Sequence, residues 1–405
     1  MPTSALPRDF VDPRQDRLHV IDGLRGFALF GVVVANTVAA LGFNPFFNPS
    51  LVASNHDRAA FSALTLFVNG RFVAMYSLLF GVGFGLMLAR ATTNDGGFVH
   101  FYLRRVAALF LIGVSNLVLF GGDVLHMYAL LAVVLLSVRN ASTRTLVILA
   151  VLSLLLPVLG RTAVDALGIQ RSSGADPALL NRLQVEGPYL TLLQVRLTHL
   201  PRMWWVILNS THLLGLFLTG LIVARHRLLQ DSERYRALFI GVLTGGAVVT
   251  ALGVVVEPAI QSWAASTPKP WRYLAMTVGS IRTIAQMFAY VAGFVLLWRS
   301  ARIRGVLQRL APSGRLALTN YLLVDIIVAC GLFVAGGYGK VGPAAGCVIG
   351  VAIWVGMVLW SKWWIGRFRM GPVEWAWRSL AAGKRQVMRY FSAASRLDPV
   401  GGTVL

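Results

Sequence analysis

One segment near the amino terminus reads Arg17-Leu-His-Val-Ile-Asp22-Gly-Leu-Arg25-Gly26-Phe-Ala-Leu-Phe-Gly31-Val-Val-Val-Ala-Asn36-Thr37. An apolar run of membrane length begins in this segment, yet it carries a carboxylate and a guanidinium near its start and an amide further in. Polar side chains at membrane depth are costly, and they usually face a protein interior or a watery cavity. The segment therefore predicts the floor of a polar chamber inside a helical membrane protein.

Composition extends this interpretation to the whole chain. The 405 residues are 56% hydrophobic and only 13% charged, with a mean hydropathy of +0.68, which excludes a soluble globular domain. Residues 1–20 are polar and contain three prolines, so they do not read as a cleavable signal peptide. We therefore expect the first apolar run to remain as a transmembrane helix.

Apolar runs of about 20 residues recur along the chain, and each is long enough to cross a bilayer as a helix. They predict an all-α polytopic bundle of ten spans with both termini cytoplasmic. The predicted spans are 24–42, 72–90, 103–120, 123–138, 144–164, 203–224, 237–256, 273–298, 316–335 and 343–365. Residues 59–69 are too short to cross, and Asn69-Gly70-Arg71 marks a break, so an interfacial or re-entrant helix is expected there.

Five regions follow from these spans. They are a cytoplasmic segment at 1–19, an N-terminal membrane half at 20–164, an outer loop at 165–202, a C-terminal membrane half at 203–370 and a basic cytoplasmic tail at 371–405. The outer loop contains a candidate amphipathic helix over 188–200. The net charge of +21 arises from arginines between the apolar runs, which indicates topology and lipid contact rather than nucleic-acid binding.

Asp22 and Arg25 are three residues apart and share one helix face at the cytoplasmic end of the first span. They could line a site for a polar or anionic ligand, or form an ordinary ion pair at the membrane surface. Asn36 lies eleven residues beyond Arg25, on the same face and about 16 Å deeper. This line of polar groups running into the membrane favours the ligand site.

Asp123 and His126 also share one face, at the outer mouth of the fourth span. A carboxylate can orient an imidazole that acts as a general base. The alternative is a hydrated helix start, where an aspartate interacts favourably with the helix dipole. His56, in the first outer loop, and His212, within the sixth span, are weaker candidates because solvation or packing explains each of them.

Arg282 lies in the middle of the eighth span and needs a carboxylate, a carbonyl cluster or an anionic ligand. Asp325 in the ninth span is its predicted partner, and Asn320 lies nearby. A buried pair that holds two helices together is the favoured interpretation, ahead of a ligand site. No HExxH sequence, CxxC pair or acidic cluster is present at metal-ligand spacing, so no metal site is predicted.

Several glycines are closely spaced within spans, which favours close helix contact. They are Gly81, Gly83 and Gly85 in the second span and Gly241, Gly245 and Gly246 in the seventh. The two cysteines, Cys330 and Cys347, both lie in apolar runs, so no disulfide framework is predicted.

Five short blocks of sequence follow one another along the chain in a characteristic order. Block one is Asp22-Gly-Leu-Arg25-Gly26-Phe-Ala-Leu-Phe-Gly31 with Asn36. Block two is Arg71-Phe72 followed by Ser77-Leu-Leu-Phe80-Gly81-Val-Gly83. Block three runs from Arg104-Arg105 through Gly113 to Gly122-Asp123-Val-Leu125 and Tyr128-Ala-Leu. Block four is Gly314-Arg315-Leu-Ala-Leu-Thr319-Asn320-Tyr321-Leu322, and block five is Gly371-Pro372-Val-Glu374-Trp375-Ala-Trp377-Arg378. Together they resemble the bacterial YeiB-like family, a domain of unknown function within the wider transmembrane acyltransferase clan.

The resemblance implies a multi-pass protein of the bacterial inner membrane. Enzymes of the clan pass an acyl group from cytoplasmic acyl-CoA to a sugar across the membrane and use a histidine. By this analogy the chain holds no bound cofactor, and acyl-CoA is an expected co-substrate. One departure stands out: YeiB-like proteins often have a histidine after the Gly113 position, and alignment through Gly122-Asp123 puts Asn116 there.

The leading hypothesis is acyl transfer from acyl-CoA to a glycan or lipid acceptor of the cell envelope. Arg25, with Arg104, Arg105 or Arg315, would hold the anionic end of acyl-CoA, and Asn36 would line the conduit. His126, oriented by Asp123, would deprotonate the acceptor.

The alternative is a transporter or exporter in which Arg282 and Asp325 form a gating pair. A third hypothesis is a non-catalytic scaffold whose arginine-rich inner face binds lipid or a partner. The sequence leaves the oligomeric state open.

Overall fold

The computed structural model describes residues 13–41, 54–91, 95–168, 179, 183, 189–199, 208–335 and 340–389. Within these ranges the chain forms sixteen α-helices, and the only β-pairing is an isolated bridge between Phe368 and Arg389. The predicted all-α class is therefore confirmed. The division into five regions and the placement of both termini in the cytoplasm stay predictions.

The first eight helices are α1 (Pro13–Ala40), α2 (Asn55–Phe67), α3 (Arg71–Leu88), α4 (Asp95–Phe120), α5 (Leu125–Ser137), α6 (Thr143–Leu152), α7 (Leu156–Ala166) and α8 (Tyr189–His199). The other eight are α9 (His212–Arg225), α10 (Arg236–Ala265), α11 (Lys269–Trp298), α12 (Ala301–Gln308), α13 (Ala311–Arg315), α14 (Ala317–Ala335), α15 (Pro343–Ile365) and α16 (Pro372–Ala382).

Six helical segments in the described residues are long and apolar enough to cross a membrane. They are His19–Ala40, Asn55–Leu88, Gly97–Phe120, Arg236–Ala265, Lys269–Trp298 and Pro343–Ile365. A seventh candidate is the pair α6 and α7, which bends by 45°, and α5, α9 and α14 are shorter apolar helices. The chain is therefore a multi-pass membrane protein, while the count of ten spans stays a prediction.

The break expected at Asn69-Gly70-Arg71 is present. Gly70 has a φ of 81°, in the left-handed region that favours glycine. It is the N-cap residue of α3 and separates α3 from α2. The two helices together form a 34-residue apolar segment, about 51 Å if straight, which exceeds the ~30 Å hydrocarbon core. The location of α2 at the interface remains a prediction.

Close helix contact explains several of the grouped glycines. A side chain at Gly81 would meet the Phe217 carbonyl at 2.0 Å, and one at Gly220 would meet the Leu78 carbonyl at 2.1 Å. α3 and α9 therefore pack backbone to backbone. Gly246 packs against Ala285 and Ala289 of α11, whereas Gly241 and Gly245 have nothing within 4 Å; the prediction of close contact is wrong for those last two.

The seventh predicted span, 237–256, is too short. α10 continues through Pro258 to Ala265, so Glu257 lies inside the helix instead of in a loop. A proline removes only one backbone hydrogen bond, and neighbouring helices commonly compensate for this loss within membranes. This extension gives Arg282 a different partner from the predicted one.

The predicted amphipathic helix of the outer loop is α8. Arg196 donates to the carbonyls of Val118 and Leu119 at 3.1 and 2.7 Å, and the Tyr189 hydroxyl donates to Leu119 at 2.6 Å. These groups satisfy carbonyls that the last turn of α4 leaves without helical partners. α8 thus covers the end of α4, next to the turn that leads into α5.

Candidate functional site

The five sequence blocks meet in pairs, although they are far apart in the chain. Blocks one and four touch at Gly26 and Gly314: a side chain at Gly26 would meet the Leu310 carbonyl at 2.2 Å, and one at Gly314 would meet the Asp22 carbonyl at 1.8 Å. Blocks one and two touch where Gly31 lies against the ring of Phe72. The glycines are required because neighbouring backbones and rings occupy the space of a Cβ atom.

Asp123 and His126 form the central pair of the site. Nδ1 of His126 lies 2.9 Å from Oδ2 of Asp123, and the same oxygen accepts the backbone N–H of His126 at 2.8 Å. The His126 side chain is 5% exposed and that of Asp123 is 0% exposed. Because an ionised carboxylate only accepts, this contact places a proton on Nδ1, and the neutral form of the imidazole then has its lone pair on Nε2.

Nε2 of His126 is buried and has no hydrogen-bond partner within the described part of the chain. A neutral imidazole held by a carboxylate at one nitrogen and unpartnered at the other has the arrangement of a general base. The expected Asp123–His126 pair is therefore present, and the 121–124 turn brings it together. Its catalytic role stays a prediction.

Gly113 allows the turn to pack against α4. A side chain at this position would meet the backbone N of His126 at 2.3 Å and Oδ2 of Asp123 at 2.7 Å. Only a residue without Cβ lets the Asp123–His126 turn lie directly on the helix. Gly122, in the same turn, has nothing within 4 Å.

Asn116 joins the same cluster one turn beyond Gly113 on α4. Its Nδ2 donates to Oδ2 of Asp325 at 2.9 Å and lies 3.5 Å from Oδ1 of Asp123. Its Oδ1 is buried and has no hydrogen-bond partner among the described residues. Asn116, the departure noted in the sequence, is thus in the site, and it connects α4 with α14.

Tyr321 closes the cluster from α14. Its hydroxyl donates to Oδ1 of Asp123 at 3.4 Å and accepts the backbone N–H of Val124 at 3.3 Å. Blocks three and four therefore meet through Asn116, Asp123, Tyr321 and Asp325.

Further polar groups lie on α3 and α5. Oγ of Ser77 lies 2.8 Å from the hydroxyl of Tyr128, which donates to the Val73 carbonyl at 2.7 Å. The neighbouring Tyr76 donates to the backbone carbonyl of Arg25 at 2.9 Å. Hydrogen bonds thus join α3 to α1 at Tyr76 and Arg25, and α3 to α5 at Ser77 and Tyr128.

Arginines gather at that end. Arg25 pairs with Asp22 at 3.1 Å, so the two share one helix face, and both are partly exposed, at 32% and 20%. The guanidinium of Arg105 stacks on Trp377, 3.6 Å from the ring centre, and Arg315 donates to the carbonyl of Arg369 at 3.0 Å. Blocks three and five meet at the Arg105–Trp377 contact.

Arg378 is a member of this cluster that sequence reasoning missed. Reduced solvation lowers the pKa of Arg378; Glu374 and Asp22 raise it, while repulsion from Arg25 and Arg315 lowers it. Arg25, Arg105, Arg315 and Arg378 together are called the arginine cluster below. The signal was available in block five, where Arg378 follows Glu374 by one helical turn.

Glu374 caps the start of α14. Its Oε1 accepts the backbone N–H groups of Leu318 and Thr319 at 2.8 and 3.0 Å, and its Oε2 contacts the Thr319 hydroxyl. Burial raises the pKa of the Glu374 carboxyl, and the hydrogen bonds from Thr319 and Leu318 lower it in part. The tail thus holds the helix that carries Tyr321 and Asp325.

The predicted Arg282–Asp325 pair is wrong. Nε of Arg282 lies 2.6 Å from Oε2 of Glu257, whereas Asp325 accepts from Asn116. α10 and α11 are joined by a connection of three residues, which places Glu257 beside Arg282, while α14 faces α4.

The remaining predicted site residues have other contacts. Nδ2 of Asn320 donates to Ser361 at 3.0 Å and to the Ser313 carbonyl at 3.3 Å. Arg104 donates to the Leu380 carbonyl at 3.0 Å at the end of α16, a structural contact. Asn36 lies on the continuous α1, and no hydrogen bond in the described residues joins it to Asp123.

The other two histidines have ordinary environments. His56 is exposed in the first turn of α2, not in a loop. His212 begins α9, and its Nδ1 lies 3.0 Å from the carbonyl of Asn209. The described residues contain no group of three or more His, Cys, Asp or Glu side chains that could hold a metal ion.

The fold and site define a multi-pass helical membrane protein with a buried Asp–His pair and an arginine cluster. Residues 223–384 match the family model described as "Protein of unknown function (DUF418)". The chain is 31% identical over 395 residues to "Uncharacterized protein YxaH" of Bacillus subtilis (strain 168), covering 90% of this chain and 94% of that protein. The chain therefore belongs to this YeiB-like family of unknown function.

Two further relatives agree over similar lengths. "Uncharacterized protein YeiB" of Escherichia coli (strain K12) is 26% identical over 398 residues, 90% of this chain and 96% of the relative. An "Uncharacterized 39.9 kDa protein in amylase 3'region" of Bacillus acidopullulyticus is 24% identical over 387 residues, 91% and 95% of the two chains. No solved structure matches the chain.

Proposed function

We propose that this protein transfers an acyl group from acyl-CoA to a hydroxyl group of a cell-envelope glycan or lipid in the bacterial inner membrane. The observation that carries the proposal is the buried Asp123–His126 pair, with Nδ1 held at 2.9 Å and Nε2 unpartnered among the described residues. A base of this kind serves to activate a hydroxyl nucleophile.

The arginine cluster supplies the other half of the reaction. Acyl-CoA carries phosphates, and guanidinium groups bind phosphate oxygens through paired N–H donors. Arg25 and Arg378 lie on the face predicted to be cytoplasmic, where acyl-CoA is available. Tyr76 contacts the backbone of Arg25, and Ser77 contacts Tyr128, which follows His126 by two residues.

The proposed step is a direct transfer. Nε2 of His126 removes the proton of the acceptor hydroxyl as its oxygen attacks the thioester carbonyl. The carbon–sulfur bond then breaks, and the CoA thiolate leaves with the proton that the imidazolium returns. Asp123 holds the imidazole in the correct tautomer and stabilises its transient positive charge.

The test uses the purified full-length protein in lipid, with labelled short- and long-chain acyl-CoA and an extract of envelope lipids and glycans. We expect label to move to the extract with the wild type and with His56→Gln, a histidine control outside the site. His126→Gln should lose activity by a factor of about 100 or more, because general-base catalysis contributes on that order. Equal transfer by His126→Gln and the wild type would contradict the proposal.

A proton-coupled transporter is the second candidate, favoured by the proximity of Asp123 and Asp325 and by the 45° bend between α6 and α7. Buried carboxylates in membranes often carry protons. Proteoliposomes with an imposed pH gradient separate the two functions. Proton uptake that requires Asp325 but not acyl-CoA would support transport, and transfer of label without proton movement would support the acyltransferase.

A further inference from the structure

A second polar cluster lies apart from the Asp123–His126 pair, where α3, α10 and α11 meet. It consists of Arg71, Arg282, Glu257 and Gln286, and it is called the Arg71–Arg282 cluster below. Arg282, Gln286 and Tyr290 are spaced four residues apart, so they lie on one face of α11. Gly70, at the break before α3, faces Thr283 of α11: a Cβ atom at Gly70 would lie 3.2 Å from Cγ2 of Thr283.

Arg71 is held tightly in this cluster. Its side chain is buried, with only 2% of the residue exposed, and Nε donates to Oε1 of Gln286 at 3.0 Å. Nη1 donates to the carbonyls of Thr65 and Asn69 at 2.7 and 2.5 Å. Gln286 is itself fixed by a 2.8 Å hydrogen bond to Tyr290. Three neutral groups thus accept hydrogen bonds from one guanidinium.

Arg282 forms an ion pair with Glu257, the carboxylate of the cluster. Its Nε lies 2.6 Å from Oε2 of Glu257, and both side chains are largely buried, at 11% and 17% exposed. Two glycines leave space for this pair. A Cβ atom at Gly253 would lie 2.5 Å from Cδ of Arg282, and one at Gly279 would lie 2.6 Å from Oε1 of Glu257. The pair sits in a space shaped by two glycines.

The cluster carries more positive than negative charge. Arg71 interacts electrostatically with both Arg282 and Glu257, so two cations share one carboxylate. Nη2 of Arg71 and Nη1 of Arg282 are buried and have no hydrogen-bond partner within the described residues. A buried charged donor without a partner is costly, so such donors are normally satisfied by an anion or an ordered group.

We propose that the Arg71–Arg282 cluster binds one anionic group, a phosphate or carboxylate, through the free N–H groups of Arg71 and Arg282. One source of such a group in a membrane is the head group of an anionic lipid. Free inorganic phosphate offers the same chemistry, and the experiment separates these two sources. The site does not depend on acyl transfer at His126.

The test measures binding to the full-length protein in detergent by native mass spectrometry, with phosphatidylglycerol, phosphatidylcholine or inorganic phosphate as the probe. Arg71→Gln removes one donor set, and Arg58→Gln is the control, since Arg58 is exposed on α2 and carries the same charge. We expect Arg71→Gln to weaken binding of phosphatidylglycerol about tenfold and Arg58→Gln to leave it unchanged, because a charge-assisted hydrogen bond contributes on that order.

Glu257→Gln provides the independent variant, because it leaves both arginines in place and removes the competing carboxylate. The anion site predicts tighter binding of phosphatidylglycerol in this variant. An ion pair that only holds α10 to α11 predicts loss of thermal stability and no gain in binding.

Binding of phosphatidylglycerol but not phosphate, with this pattern of variants, identifies a lipid head group. Binding of phosphate with the same pattern identifies a free anion as an occupant. Equal binding of phosphatidylglycerol and phosphatidylcholine, unchanged in Arg71→Gln and Glu257→Gln, would overturn the proposal.

Discussion

Nδ2 of Asn116 lies 2.9 Å from Oδ2 of Asp325, and this hydrogen bond joins α4 to α14 directly beside the Asp123–His126 pair. The amide occupies the position at which the sequence resemblance led us to expect histidine. A carboxylate at hydrogen-bond distance would orient an imidazole there, as Asp123 orients His126.

This geometry predicts that Asn116→His restores transfer to an inactive His126→Gln protein. The new imidazole would lie against Asp325, so we expect the double variant to transfer label about tenfold faster than His126→Gln alone. This gain is smaller than the factor of about 100 or more that a general base in its native position contributes. The measurement is the rate of label transfer from acyl-CoA. Asn116→Gln in the same background is the control, since it adds length without a base. Equal rates for the two double variants would refute the prediction.

Gly113 allows close packing beneath the site, so Gly113→Ala should displace the Asp123–His126 turn. A Cβ there would lie 2.3 Å from the backbone N of His126, and overpacking of this kind costs about 1–3 kcal/mol. We expect a lower thermal unfolding midpoint in detergent together with reduced transfer. Gly122→Ala is the matched control, because nothing lies within 4 Å of its Cβ position. The prediction fails if both variants unfold at the same temperature.

Arg378 should contribute to acyl-CoA binding through the arginine cluster. Arg378→Gln removes a charge that interacts with Arg25 and Arg315, and loss of one phosphate contact corresponds to about a tenfold rise in KM for acyl-CoA. We expect kcat to change little, because the residue is remote from His126. Arg367→Gln is the control, since Arg367 stacks on Trp363 outside the cluster. An equal KM for the two variants would show that Arg378 does not bind the donor.

Glu374 should give a pH-dependent contribution to stability. Burial raises the pKa of its carboxyl in the folded protein above the usual 4.5, so the folded state holds the proton more tightly than the unfolded chain. The stabilisation from protonation is present below 4.5 and is lost as pH rises through the folded pKa.

Glu374→Gln should therefore flatten the dependence of the unfolding midpoint on pH above 4.5, because the amide oxygen still accepts from Leu318 and Thr319 without ionising. Glu374→Ala should lower the midpoint at every pH, since removing a helix cap costs about 1 kcal/mol. Thermal unfolding from pH 4 to pH 8, a range of about four units around this window, gives both readouts. A steeper slope in Glu374→Gln than in the wild type would contradict this account.

Local spacing predicted the parts of the site that lie on one element. Asp22 with Arg25 and Asp123 with His126 are each three residues apart, and hydrophobic run length located the helices. Arg282 shows where this reasoning ends. Which carboxylate lies beside it depends on how α10 and α11 pair and on where α10 ends, and neither is encoded in the residues around Arg282.

The glycines illustrate the same limit. The requirement for glycine at Gly26, Gly113 and Gly314 comes from backbones that approach from other parts of the chain. Their partners became visible only when the five blocks were seen to touch. Asn116 likewise stood out in the sequence only as a departure from the family pattern, whereas it donates to Asp325 in the folded protein.

The cap that Glu374 places on α14 has a consequence for biogenesis. Synthesis proceeds from the amino terminus, so α14 leaves the ribosome more than 50 residues before the side chain that satisfies its first amide groups. Until the tail emerges, the start of this helix is exposed and its hydrogen bonds are incomplete. We therefore expect α16 to dock only after α14 has been synthesised, and chains that stop before Glu374 to keep the start of α14 uncapped.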